Sequence, residues 1–284
     1  LYRQGLAEFA YRNGMDLLGR VEFPHEAVRP SVPQGERLNF PRRTLVPIGG
    51  GKDSLVVVEA LKSINADATA AWVGNSPLIA AVAARTGLPT LNISRELSPL
   101  LFACAWADAT RGAASAARPS RPRPQMATSQ DSSSANRIER SASSATLEYE
   151  GRQVNHQWSK GWAFERTLAA YVRSHIAADL DYFSLLRPFS ELAVTRAFAK
   201  SGPAYFDTFS SCNRNFRILG PRPTDRWCGH CPKCHFVFLA LAPFLPKPRL
   251  LQIFGRNLLD DDSQASGFDA LMEYRDHKPF ECVG

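Results

Sequence analysis

Thr44-Leu45-Val46-Pro47-Ile48-Gly49-Gly50-Gly51-Lys52-Asp53-Ser54 is the stretch that decides the fold. An apolar run enters three successive glycines, and Leu55-Val56-Val57-Val58-Glu59-Ala60-Leu61 follows the Lys-Asp-Ser. The run reads as a buried strand, the glycines as a tight turn, and the remainder as the first turns of a helix. Glycine carries no Cβ, so the amides of such a turn can approach an anion closely. The first N–H groups of a helix lack partners within it and carry the positive end of its dipole. Strand, glycine turn and helix start together make a phosphate cradle.

The alternation continues on the far side of the cradle. A helix is predicted over Asp53–Ile64, a strand over Ala68–Val73, a helix over Pro77–Thr86 closed by Gly87, and a strand over Thr90–Ile93. Strands separated by single helices imply right-handed crossovers and a parallel sheet, so the expected class is α/β with a doubly wound parallel sheet. Ligands of such sheets lie beyond the carboxyl ends of the strands. Gly49–Ser54, Gly74-Asn75 and Ser94-Arg95 all fall there.

Composition sets the limits. At 284 residues and 44% hydrophobic content the chain can bury a large core. No stretch approaches the roughly 20 apolar residues of a membrane span. The first 40 residues begin helically, with Leu6, Phe9, Ala10, Met15 and Leu18 as a stripe. They then become proline-rich between Pro24 and Pro41, as in the tail and linker of a preceding domain. The nucleotide-binding portion is expected over residues 41–210 and a cysteine-bearing portion over 211–284. Six arginines and only two acids between 111 and 140 supply more than half of the net charge of +7. The remaining excess suits an enzyme of anionic small molecules, with no continuous basic stripe for nucleic acid. Residues 111–138 hold almost no large apolar side chain and read as a disordered insert or a locally shifted reading frame.

Order is predicted to resume near Glu139. Val154–Lys160 leads to a helix near Ala163–His175, and Ser190 is an N-cap for a further helix. Farther on, Cys228-Gly229-His230-Cys231-Pro232-Lys233-Cys234 spaces three thiols by two residues, and Cys212 lies sixteen residues earlier. Four thiolates on a tight knuckle favour structural zinc in a reducing compartment. The ferredoxin run would need a fourth cysteine three residues on, followed by proline. His230 and His235 are expected outside the ligand set.

Two better-known phosphate loops fail at the glycines. A Walker loop needs glycine where Val46 stands and Ser or Thr where Asp53 stands. The dinucleotide fingerprint needs a third glycine where Ser54 stands, and an acid where the next strand ends in Gly74-Asn75. Gly49-Gly50-Gly51-Lys52-Asp53-Ser54 instead resembles the Ser-Gly-Gly-x-Asp-Ser loop of enzymes that cleave ATP between its α and β phosphates. Gly49 replaces the usual first serine. That resemblance implies an adenine-nucleotide alpha-hydrolase-like domain. The loop together with the four cysteines is also similar to 7-cyano-7-deazaguanine synthase.

A closer resemblance joins Val46–Ser54, Glu139–Ala142, Val154–Lys160, Trp227–Leu241 and His277–Gly284: these look like the ATP-dependent UDP-N-acetylmuramoyl-L-alanyl-L-glutamate epimerases. It implies inversion of the terminal L-glutamate of a UDP-muramoyl dipeptide, a cytoplasmic step of peptidoglycan precursor synthesis that serves cell shape and division. ATP would form an acyl-adenylate, and AMP and diphosphate would be released. Adenylation removes the carboxylate charge and so makes the Cα proton removable. Gly49, Gly50, Gly51, Asp53 and Ser54 would hold the pyrophosphate and its Mg2+, Lys52 would screen it, and Gly74 and Asn75 would line the site. Proton carriers are to be sought among His156, Lys160, Glu191 and Cys282, the last beside His277 and Lys278. Arg140 and Arg187 suit a carboxylate or phosphate. Two other readings remain open: a zinc-bearing pyrophosphate-loop ligase or tRNA- or deazapurine-modifying enzyme, and a degenerate nucleotide-binding module.

Overall fold

A computed structural model of the chain describes residues 2–17, 20, 22, 35–100, 146–149, 152–217, 221–275, 277–281 and 283. The predicted insert 111–138, the Glu139–Ala142 stretch with Arg140, and Cys282 lie outside the described residues.

Two short helices, α1 (Tyr2–Gly5) and α2 (Ala7–Asn13), come first. The sheet follows: β1 (Thr44–Pro47), α3 (Lys52–Ser63), β2 (Ala68–Val73), α4 (Pro77–Arg85) and β3 (Thr90–Ile93). The strands pair in parallel in the order β1-β2-β3, with Thr44 opposite Ala68 and Ala70 opposite Thr90. The α/β class and the parallel sheet are therefore as predicted, and each of these boundaries falls within a residue of the sequence reading. Pro77 opens α4, where its missing N–H costs nothing. Gly87, at φ +70°, carries the chain out of that helix.

An antiparallel hairpin, β4 (Thr146–Tyr149) and β5 (Arg152–Asn155), leads through a 3-10 turn at Trp158–Lys160 into α5 (Trp162–His175). The next helix, α6 (Glu191–Ser201), is capped as its sequence predicts, with the Ser190 Oγ accepting from the Ala193 amide at 3.2 Å. The cysteine-bearing portion holds α7 (Pro232–Leu241), α8 (Lys247–Phe254) and α9 (Ala265–Leu271).

One apolar cluster joins the sheet to the cysteines. Val46, Leu55, Val58 and Val82 belong to it, as do Phe198, Phe209, Trp227, Phe238 and Cys234. A run of rings carries it across. Phe198 meets Phe209 at 4.7 Å between centroids, Phe209 meets Trp227 at 5.2 Å, and Trp227 meets Phe254 at 4.8 Å. Such edge-on and tilted contacts add to the area the rings bury. Among the described residues no helix is long and apolar enough to cross a membrane.

Candidate active site

The glycine loop leaves β1 at the carboxyl edge of the sheet. Gly50 takes φ +87°, a conformation that favours glycine, and a Cβ there would lie 3.1 Å from the Ser210 carbonyl oxygen. The Ser210 amide donates to the Gly50 carbonyl at 2.9 Å. A Cβ on Gly51 would meet the Ser211 Cβ at 3.3 Å, whereas one on Gly49 would meet nothing within 4 Å. Gly50 is thus held to glycine by its φ and by the segment running alongside, Gly51 is tight against that segment, and Gly49 faces open space. Ser54 turns its hydroxyl back to the Gly51 carbonyl at 3.2 Å. Gly74, at φ +92°, receives Asn92 Nδ2 on its carbonyl at 2.8 Å and ends β2 at the same edge, with Asn75 exposed beside it.

Lys52, the first residue of α3, is 4% exposed, and its Nζ donates to Asp53 Oδ1 at 2.7 Å and to Glu191 Oε1. Burial works to strip the Lys52 proton, and the two carboxylates outweigh it, so the ammonium is held above the ordinary lysine range. Burial likewise works upward on Asp53, but Lys52, then Lys233 and Lys160, hold its carboxyl below the usual range. Lys233 shows the opposite balance: burial, then the like charge of Lys52, pull it below the ordinary lysine value. Five charged groups from four separate segments therefore share one locality at the start of α3. The sequence singled out Lys52, Asp53, Lys160 and Glu191; it missed Lys233, which stands inside the cysteine motif.

Arg187 is held by the protein itself. Its guanidinium pairs with the buried Glu165, with Nε at 3.0 Å, and donates to the Lys160 carbonyl at 2.8 Å. It thereby fixes the backbone that carries Lys160. His156 keeps different company. Its Nδ1 lies 2.8 Å from both oxygens of Glu8, and its ring meets Phe280 edge-on at 5.5 Å. Beside this turn lies a cavity of about 890 Å3, lined by Tyr149, Arg152, Asn155, Trp158 and Trp162 among others. Its size suits a substantial small molecule.

The four sulfurs of Cys212, Cys228, Cys231 and Cys234 lie within 4.8 Å of one another. Cys212–Cys231 is 3.9 Å, Cys228–Cys234 3.8 Å and Cys231–Cys234 3.4 Å. Tetrahedral bonds of about 2.3 Å to a thiolate-bound ion would set sulfurs about 3.8 Å apart, so this donor set fits one. Hydrogen bonding, chiefly with Cys212, pulls Cys228 below the usual thiol range and pushes Cys231 and Cys234 above it. Neither nearby histidine joins the cluster. His235 is buried with Nε2 on Gln264 Oε1 at 2.9 Å, and His230 lies between Gln264 and Arg256.

Family models match this arrangement from both ends. Residues 1–185 match the MurL N-terminal domain and residues 208–284 the MurL C-terminal domain. The chain belongs to the MurL family. A MurL relative from Xanthomonas oryzae pv. oryzae, named UDP-N-acetyl-alpha-D-muramoyl-L-alanyl-L-glutamate epimerase, is 54% identical over all of this chain and 63% of its own length. Relatives of the same name from Salinispora tropica and a Micromonospora species are 42% and 39% identical, again over the whole chain. This chain spans 62% and 63% of their lengths. No solved structure matches the chain.

Proposed function

We propose that the chain is the nucleotide-binding and catalytic portion of an ATP-dependent epimerase. It would invert the terminal L-glutamate of UDP-MurNAc-L-Ala-L-Glu in peptidoglycan precursor synthesis. The observation that carries the reading is 54% identity, across every part of this chain, to a relative named for that epimerisation. The glycine turn at the exit of β1, with five charged groups gathered round it, supports the ATP-dependent route. It also supports a wider adenine-nucleotide alpha-hydrolase-like fold.

Activation comes first, because removing a proton beside a free carboxylate would build a dianion. ATP supplies an adenylyl group to that carboxylate. The chain's part is to hold the polyphosphate against the amides of Gly49, Gly50 and Gly51, with Ser54 closing the turn. Asp53 is kept ionised by its lysines and is the natural ligand for the magnesium that accompanies ATP. Lys52 braces Asp53 and Glu191 rather than reaching outward, because its charge is already matched by two carboxylates.

Proton transfer falls to the turn after β5. Lys160 lies with the charge cluster, and the Glu8 carboxylate orients the His156 ring four residues before it. The cavity beside Trp158 would take the sugar–nucleotide end of the substrate. Cys212, Cys228, Cys231 and Cys234 would hold zinc with no open position, so the ion would shape the site without entering the chemistry.

The deciding experiment incubates the protein with ATP and UDP-MurNAc-L-Ala-L-Glu, hydrolyses the product and resolves the glutamate enantiomers. D-glutamate and AMP appearing together support the reading. AMP release with glutamate left entirely L would sink it and point to a ligase.

A further inference from the structure

Two distant stretches of chain, within residues 4–17 and 146–167, enclose the cavity of about 890 Å3. Helix α2 packs on β5 and lends the wall Ala7 and Ala10, which share one face and leave room. The Trp158 indole is held in place. Gly5 lies against it, with a built Cβ 3.7 Å from Cζ3, and the Phe164 ring meets it edge-on at 5.2 Å. Trp162, which opens α5, also lines the cavity, is 39% exposed, and has no ring partner among the described residues. Arg152 of β5 lines it too and enters no ion pair among the described residues. Gln4 and Gln153 add exposed amides. Among the described residues of the lining, none belongs to the glycine loop.

We infer that this cavity is a uridine diphosphate subsite, with the base on the Trp162 indole and the diphosphate on the Arg152 guanidinium. Such a subsite deepens the epimerase reading and rests on it. The proposed reaction takes two nucleotides, and the glycine loop holds one, so a separate cavity suits the other. An exposed indole in a cavity wall is a platform for a flat base. A guanidinium fork matches the oxygens of a diphosphate, and one without a carboxylate of its own is open to that anion. Arg187 differs, because its fork is taken by Glu165. The amides of Gln4 and Gln153 can donate and accept together, as the imide edge of uracil demands. Position agrees with this. Trp158 opens the 3-10 turn that ends at Lys160, and Glu8 of α2 holds the His156 ring. A substrate seated by its uridine end therefore starts beside the candidate proton carriers.

Calorimetry on the full chain tests this with UDP and, separately, with ATP and magnesium. The proteins compared are the parent, Arg152→Met, Arg152→Lys and Trp162→Leu, and turnover of the UDP-muramoyl dipeptide is followed in each. Arg152→Met is expected to weaken UDP by about ten- to hundredfold, the worth of a charge-assisted hydrogen bond. Arg152→Lys should restore part of that loss. Trp162→Leu should weaken UDP by about five- to hundredfold, the worth of a stacked base. ATP should bind all four proteins equally. In turnover, KM for the dipeptide substrate should rise more than kcat falls. UDP bound equally by the parent, Arg152→Met and Trp162→Leu, with D-glutamate still formed, overturns the subsite and leaves the epimerase reading standing. ATP lost in step with UDP also overturns it, as does a parent that binds no UDP. A parent that forms no D-glutamate, yet binds UDP and loses it in the variants, sinks the epimerase reading and keeps the uridine site.

Discussion

Removing the carboxylates around Lys52 should destabilise the protein far more than removing Lys52. The ammonium is 4% exposed, whereas the Asp53 and Glu191 side chains are 55% and 42% exposed. When Lys52→Met deletes the charge, the two acids are left where water can solvate them. The loss is that of a partly exposed pair, about 1 kcal/mol or less. When Asp53→Asn and Glu191→Gln are combined, a buried ammonium is left with neutral partners. The loss then approaches the roughly 3–5 kcal/mol of a broken buried pair. Adding Lys52→Met to that double variant should recover most of the difference. Urea unfolding of the four proteins, compared at similar m, reads these values directly. Equal losses for Lys52→Met and the double carboxamide, or no recovery in the triple variant, would refute the claim that burial of Lys52 sets the energetics of this corner.

Other outcomes follow from the same geometry. Asp53 is held below the usual carboxylate range, so the stability it contributes is full above about pH 4 and is lost as pH falls through its lowered value. Lys52 is held above the lysine range, so its share is full below about pH 10 and is lost as pH rises through its raised value. Urea midpoints measured across pH should show both limbs, and Lys52→Met should flatten them. Phe209→Ala should cost about 3–5 kcal/mol by the same unfolding assay, because that ring is fully buried between Phe198 and Trp227. Cys228→Ser should lower bound zinc, measured by elemental analysis, from one ion per chain to well below one. Arg187→Met should cost about 3–5 kcal/mol in urea unfolding, because it strands the buried Glu165 carboxylate, and should reduce turnover of the folded protein by at least tenfold, since it frees the backbone of Lys160; unchanged turnover would remove Arg187 from the site.

The sheet was legible in the sequence because its signals are local. Apolar runs, a glycine turn and Pro77 each act within a few residues, so the strand and helix limits emerged almost unshifted. The four cysteines were legible for a similar reason, since two-residue spacing is itself the geometry of a knuckle. What stayed hidden depends on distant approach. Lys233 looked like filler in a metal motif until α7 was laid beside α6, the helix that packs on α3. Glu8 and His156, 148 residues apart, carry no pattern that pairs them. Arg187 was legible as a carboxylate partner; that the carboxylate would be the chain's own Glu165 was not.

The apolar cluster that joins Val46, Leu55 and Val82 to Phe209, Trp227 and Phe254 has a practical corollary. The two regions that match separate family models are stitched through one dry seam, so splitting the gene between them would leave a greasy face on each product. Such fragments should aggregate when made singly and become soluble only when co-expressed. In the uncut chain, tryptophan emission and far-ultraviolet dichroism should melt together.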